Sequence, residues 1–196
     1  MSKPEGRLSI AALSEVGRKE SNSGLRTILL RYLNHNSRER LLDIGGGSGL
    51  LTETLADVFS QILVLEPNLG KLEYGAKHRP DVGFIRGSAQ QVPVVEGKIG
   101  TVVSVAAFHH FPDQHGALEE MKRVLKPGGL LMLAEIDVSK TSGRILRFFE
   151  NKIVHGGSHF LESPQLVEMV KGHGFSDIAI DRTSRGYVVV AKNNPT

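Results

Sequence analysis

The chain has 196 residues, 40% hydrophobic and 23% charged, the balance of an ordinary globular protein with room for one domain and not two. It has no cysteine, which excludes disulfide frameworks, thiolate metal sites and thiol nucleophiles, and no apolar stretch approaches the roughly 20 residues of a membrane span. A net charge of +3, from 24 Lys and Arg against 21 Asp and Glu, with 6% aromatics and no Trp, offers no basic stripe with stacking rings for nucleic acid; no signal-peptide core opens the chain, so a soluble cytoplasmic protein is expected.

Residues 1–39 carry an apolar periodicity in Leu25, Ile28, Leu29 and Leu33 that predicts helix. From there short aliphatic runs alternate with helical patterns. Strands are expected at Arg40 to Ile44, Gln61 to Leu65, Gly83 to Arg86, Thr101 to Ala106 and Leu130 to Glu135. Between the first two, Leu50, Leu51, Leu55, Val58 and Phe59 share one face of a helix; a second helix follows Asn68. A third runs from Gly116 to Lys126 on Leu118, Met121, Val124 and Leu125, and Pro127, Gly128 and Gly129 stop it. After 138–162, Ser163 reads as an N-cap before Pro164, with Leu166, Met169 and Val170 as the apolar face and Gly174 as the stop. Asp177 to Thr183 and Tyr187 to Ala191 are separated by three residues, too few for a crossover, so they form an antiparallel hairpin. The sum is a doubly wound α/β fold: a mostly parallel seven-stranded sheet, flanked by helices, that closes on a hairpin.

Glycine is the one compositional excess, 22 residues. Four of them fall in five positions where the first strand meets the first helix: Asp43, Ile44, Gly45, Gly46, Gly47, Ser48, Gly49. Such a turn offers unpaired N–H groups and lets a ligand approach the backbone. The dinucleotide fingerprint fails, because Leu50 occupies the place of its third glycine, and no Gly-Lys-Ser or Gly-Lys-Thr completes a phosphate loop. What remains is D-x-G-x-G-x-G. An acid at the mouth repels a pyrophosphate but suits a ligand with an ammonium and a sulfonium, such as S-adenosylmethionine. Glu66 then ends the second strand, where a βαβ unit places a carboxylate for ribose hydroxyls.

Taken in order, LLDIGGGSG (Leu41 to Gly49), the strand-end Glu66, GSAQQVPV (Gly87 to Val94), VVSVAAFHHFPD (Val102 to Asp113) and MKRVLKPGGLLMLAE (Met121 to Glu135) resemble a known family. It is the class I, Rossmann-like S-adenosylmethionine-dependent methyltransferases, in particular the small-molecule group that includes the quinone-biosynthesis methyltransferases. The resemblance covers about Arg40 to Lys192. It implies that Asp43 with Gly45, Gly46, Gly47 and Gly49 holds the amino-acid end of the cofactor and Glu66 its ribose, with Pro67 and Ala106 beside them. The family's third motif usually carries an Asp after its glycine, where this chain has Ser88; adenine contacts are expected at Ser88 and Ala89, with Gln90 or Gln91 as substitutes.

Methyl transfer needs in-line positioning of a nucleophile and a destination for its proton. His109 and His110 follow the fourth strand, and histidine is the side chain suited to proton transfer near neutral pH; one of them as general base, or Glu135 at the end of the fifth strand in contact with substrate, are the catalytic candidates, with Asp137 a weaker one. The resemblance also implies a lid over 138–162, containing Arg144, Arg147, His155, Gly156, Gly157, His159 and Phe160, with the N-terminal helices as a cap. His155 and His159 have metal-ligand spacing, but the intervening glycines disfavour the helix that would align them, and no metal is expected. The expected activity is methylation of a small molecule by a monomer or homodimer. The alternatives are an RNA or protein methyltransferase and a non-catalytic S-adenosylmethionine-binding regulator.

Overall fold

The computed structural model describes residues 24–33, 39–138, 158–184 and 186–194. Helix α1 occupies residues 24–32. It is followed by β1 (Arg40–Ile44), α2 (Leu50–Glu53), β2 (Gln61–Glu66), α3 (Leu69–His78), β3 (Gly83–Arg86) and β4 (Ile99–Val105). A single 3-10 turn (Phe108–His110) leads to α4 (Gln114–Val124), β5 (Leu125–Ile136), α5 (Ser163–Gly172), β6 (Ser176–Arg182) and β7 (Gly186–Asn193). Among the described residues no helix is long and apolar enough to cross a membrane.

The seven strands form one sheet in the order β3-β2-β1-β4-β5-β7-β6. Pairings from β3 through β5 are parallel, and β7 pairs antiparallel with both β5 and β6. Side chains alternate between the two faces with the period of a strand. Leu42, Ile44, Leu65, Val102, Leu131 and Leu133 pack under α4 and α5. Leu41, Ile62, Val64, Val103 and Met132 pack under α1 and α2 through Leu25, Ile28, Leu29 and Leu51, with Leu55 just beyond α2 in the same cluster. The order in which the strands are laid down reverses between β1 and β4, and such a switch point opens a crevice at the carboxyl ends of the two strands.

Local chemistry sets the helix ends. Asn68 and Asp113 cap α3 and α4 by accepting from Lys71 N and Gly116 N. The α4 helix therefore starts at Gln114, ahead of the expected Gly116, and its last residue is Val124. Leu125 already pairs with Ile99, so β5 begins before Pro127 and Gly128, and the register shifts between Ile99 and Thr101 accommodate them. The cap of α5 is Glu162 and not Ser163: Glu162 and Gln165 exchange side-chain and backbone bonds as a capping box, and Ser163 is the first helical residue. Helix α2 is shorter than its periodicity predicts. Thr54 Oγ1 donates to Leu51 O, and Arg26, which also forks onto Asp57, reaches Thr54 O, so side chains take carbonyls the helix would need. Leu55 and Phe59 are nonetheless buried.

Candidate cofactor and active site

The glycine loop lies at the switch point. Gly45 extends the β1–β2 ladder through its N–H to Leu65 O (2.8 Å) and turns at φ +78. A methyl group there would sit 2.6 Å from Ala107 Cβ, so only glycine allows the ends of β1 and β4 to approach this closely. Gly46 lies directly on the Asp43 carboxylate, with a hypothetical Cβ 2.5 Å from Oδ2 and 3.0 Å from Oδ1. Asp43 is buried to 1% exposure. Its Oδ2 accepts from Thr52 Oγ1 at 2.5 Å, while Oδ1 has no hydrogen-bond partner among the described residues. Burial pushes the Asp43 carboxyl up to about 6; the Thr52 bond works against the rise and the Glu66 charge adds to it.

Glu66 braces the same loop from β2. It accepts from Gly47 N at 3.1 Å and Asn68 N at 3.0 Å, and Lys71 Nζ lies 4.0 Å away. Beside it a cavity of about 440 Å³ opens along the carboxyl ends of the strands. Ile44, Gly45, Leu65, Glu66, Pro67 and Lys71 form one wall. Gly87, Ser88, Ala89 and Gln90, beyond β3, form the second; Ala106, Ala107, His110, Phe111 and Pro112, beyond β4, form the third. Asp43, Gly46, Gly47 and Gly49 are not on the lining; they lie behind Gly45, at the end of β1 and in the turn into α2. Ala106 adopts φ 48, a left-handed conformation that costs a non-glycine residue about 1 kcal/mol. Such strain is concentrated at functional positions.

The two histidines are treated differently by the fold. His110 lines the cavity and is exposed, and its Nδ1 meets Ser158 Oγ at 3.2 Å. His109 is buried to 1%. Its Nδ1 is 2.5 Å from Glu135 Oε2, and its ring stacks on Phe160 at 4.3 Å. Glu135, also off the lining, accepts in addition from Phe108 N at 3.0 Å. Residues 158–161 are pinned over this turn. His159 N donates to His109 O, and Gln114 Nε2 donates to both Phe108 O (3.1 Å) and His159 O (2.9 Å). Tyr187 OH donates to Leu161 O at 2.7 Å, and burial, with Glu135, Asp137 and Glu162 nearby, raises that phenol's pKa. Asp137 is buried with its carboxylate 3.5 Å from Arg182.

The sequence did not single out Thr52, Lys71, Gln114 or Tyr187. Thr52 carried a signal, a polar residue next to Leu51 on a buried stripe; Tyr187 reaches a residue 26 positions away and Gln114 ties residues 6 and 45 positions away, and neither carried one. Of the expected lid, Arg144, Arg147, His155, Gly156 and Gly157 lie outside the described residues, so the spacing of His155 and His159 cannot be placed on a helix. No residue of 24–33 lines the cavity; α1 packs on the sheet and bonds Asp181 through Arg31 and Tyr32.

A family model described as a methyltransferase domain matches residues 42–133. A demethylmenaquinone methyltransferase of Renibacterium salmoninarum is 36% identical over 97 residues, 50% of this chain and 41% of that one. A phthiotriol/phenolphthiotriol dimycocerosates methyltransferase of Mycobacterium leprae is 31% identical over 144 residues, 71% of this chain and 52% of that one. The chain thus spans about half the length of such relatives. Among solved structures, a methyltransferase of Thermotoga maritima described as a possible histamine N-methyltransferase superposes with a TM-score of 0.74 at 18% identity, covering 92% of this chain and 94% of that one; at that identity it supports the fold alone.

Proposed function

We propose that this chain, whose residues 42–133 match a family model described as a methyltransferase domain, transfers a methyl group from S-adenosylmethionine to a small-molecule acceptor, leaving S-adenosylhomocysteine. The carrying observation is the cavity at the β1/β4 switch point, with the Glu66 carboxylate on its wall and the glycine loop at its end. The residues present fit the cofactor. A carboxylate has about four acceptor positions; Gly47 N and Asn68 N use two on Glu66, leaving two for a pair of ribose hydroxyls. Leu65, Ser88 and Ala89 would hold the adenine, the Ser88 hydroxyl standing in for a carboxylate. Gly45 and the loop amides, with the Asp43 charge beneath them, would hold the amino-acid end. The bound cofactor supplies a sulfonium-activated methyl electrophile.

The chain's own residues then exclude water, orient the acceptor and take its proton. His110, on the wall, is the group within reach of an acceptor and is assigned the base. His109 and Glu135 do not line the cavity; their mutual bond and the Phe108 N–H bond fix the turn that presents His110. The relatives, named for small-molecule methyl acceptors, support that substrate class. The proposal extends to a cytoplasmic monomer or homodimer that does not act on nucleic acid.

Titration calorimetry with S-adenosylmethionine and with NAD tests the cofactor assignment. Binding of the former in the micromolar range, and none of the latter, is expected; silence with S-adenosylmethionine defeats it.

A further inference from the structure

Thr52 is fully buried on α2, a position where a threonine hydroxyl commonly bonds back to its own helix. Here it donates instead across nine residues to Asp43 Oδ2. The bond joins two groups that are both removed from water. On the other side of the carboxylate Gly46 presses directly on it, so the carboxylate is held between α2 and the loop. The remaining oxygen, Oδ1, is buried and, among the described residues, without a hydrogen-bond partner, a costly arrangement unless the site has another use for the charge.

We propose that Thr52 is a positioning residue for the cofactor: its hydroxyl fixes the Asp43 carboxylate beneath Gly46 as an anion, so that the loop presents a buried negative charge to the ligand's ammonium group. This rests on the S-adenosylmethionine reading. Among the described residues, the groups bearing on that charge are few. From α2 the Thr52 hydroxyl favours the anion, whereas burial and the Glu66 carboxylate on β2 disfavour it. Lys71 on α3 stands 4.0 Å from Glu66. Loss of the hydroxyl therefore leaves Asp43 easier to protonate, and the ligand's affinity becomes more sensitive to acid.

The test is S-adenosylmethionine binding by calorimetry from pH 5.5 to 8.0 for the wild-type chain, Thr52→Val and Thr52→Ser. Wild-type affinity should fall as pH drops through about 6. In Thr52→Val the inflection should move up by about one pH unit, weakening binding roughly threefold at pH 6.5 and leaving it close to wild type at pH 8.0. Taking the ratio of variant to wild type removes the ligand's own amine titration. Thr52→Ser should restore the wild-type profile. In an Asp43→Asn background, Thr52→Val should leave the pH profile unchanged. A Thr52→Val profile that superimposes on wild type, or one weakened equally at both pH values, overturns the proposal. A wild-type chain that does not bind at any pH instead overturns the reading beneath it.

Discussion

Asp43 and Glu66 are both buried beside one loop, and they differ in what surrounds them. Glu66 is tied to two backbone N–H groups and has acceptor capacity left. Replacing it by Gln removes the charge while keeping the size. Hydrogen bonds to a charged group are worth about 1.5–3 kcal/mol, so Glu66→Gln should weaken S-adenosylmethionine binding by about tenfold or more in a calorimetric titration. Asp43 has one side-chain bond and is out of water, with its carboxyl raised to about 6. The sign follows from linkage. Between the ordinary Asp value and 6 the folded chain binds more protons than the unfolded one, so this group lowers stability as pH rises through that window, by about 3 kcal/mol at most. Asp43→Asn should therefore raise the Tm at pH 7.5 and hold S-adenosylmethionine binding at the weakened acid-side level at every pH, with no inflection near 6. A lowered Tm at pH 7.5 would show that the buried anion stabilises the fold. The residue scale thus predicts a conflict between stability and binding at a single carboxylate.

At the scale of elements, the 3-10 turn is a platform held from two sides. Gln114, first residue of α4, ties Phe108 O to His159 O, and His109 is clamped between Glu135 and Phe160. Gln114→Ala removes both amide bonds, an expected loss of about 2 kcal/mol read as a Tm fall of about 5 °C. Hydrogen exchange should accelerate at 158–161 before it does so in the β-sheet; uniform acceleration would place Gln114 in the global core instead. The five parallel strands were legible because each is a short aliphatic run between turn signals, and Asn68 and Gly174 marked their helix boundaries. The early start of α4 was not, since Gln114 and His115 add nothing to an apolar stripe. Ser163 looked like a cap because serine commonly is one, yet Glu162 competed with it and completed a box with Gln165.

For the whole molecule, what matters is that the strand order brings Gly45 and Ala107 to the same point from residues 62 positions apart. Motifs that read locally, the loop glycines and the strand-end Glu66, were legible because their chemistry is written in adjacent residues. The different placement of His109 and His110 was not, because the sequence sets them side by side and only the turn sends one into the wall and the other behind it. Gly45→Ala tests this convergence. With φ +78 and a contact of 2.6 Å, it should lose measurable S-adenosylmethionine binding and lower the Tm, whereas Gly172→Ala, with open space around it and no left-handed backbone, should keep binding. The central claim, methyl transfer to a small molecule, is tested most directly by incubating the protein with methyl-labelled S-adenosylmethionine and a cell extract separated into metabolite, RNA and protein fractions. Label should appear in the metabolite fraction and disappear in His110→Ala; label confined to RNA or protein, or tight cofactor binding with no label in any fraction, would contradict it.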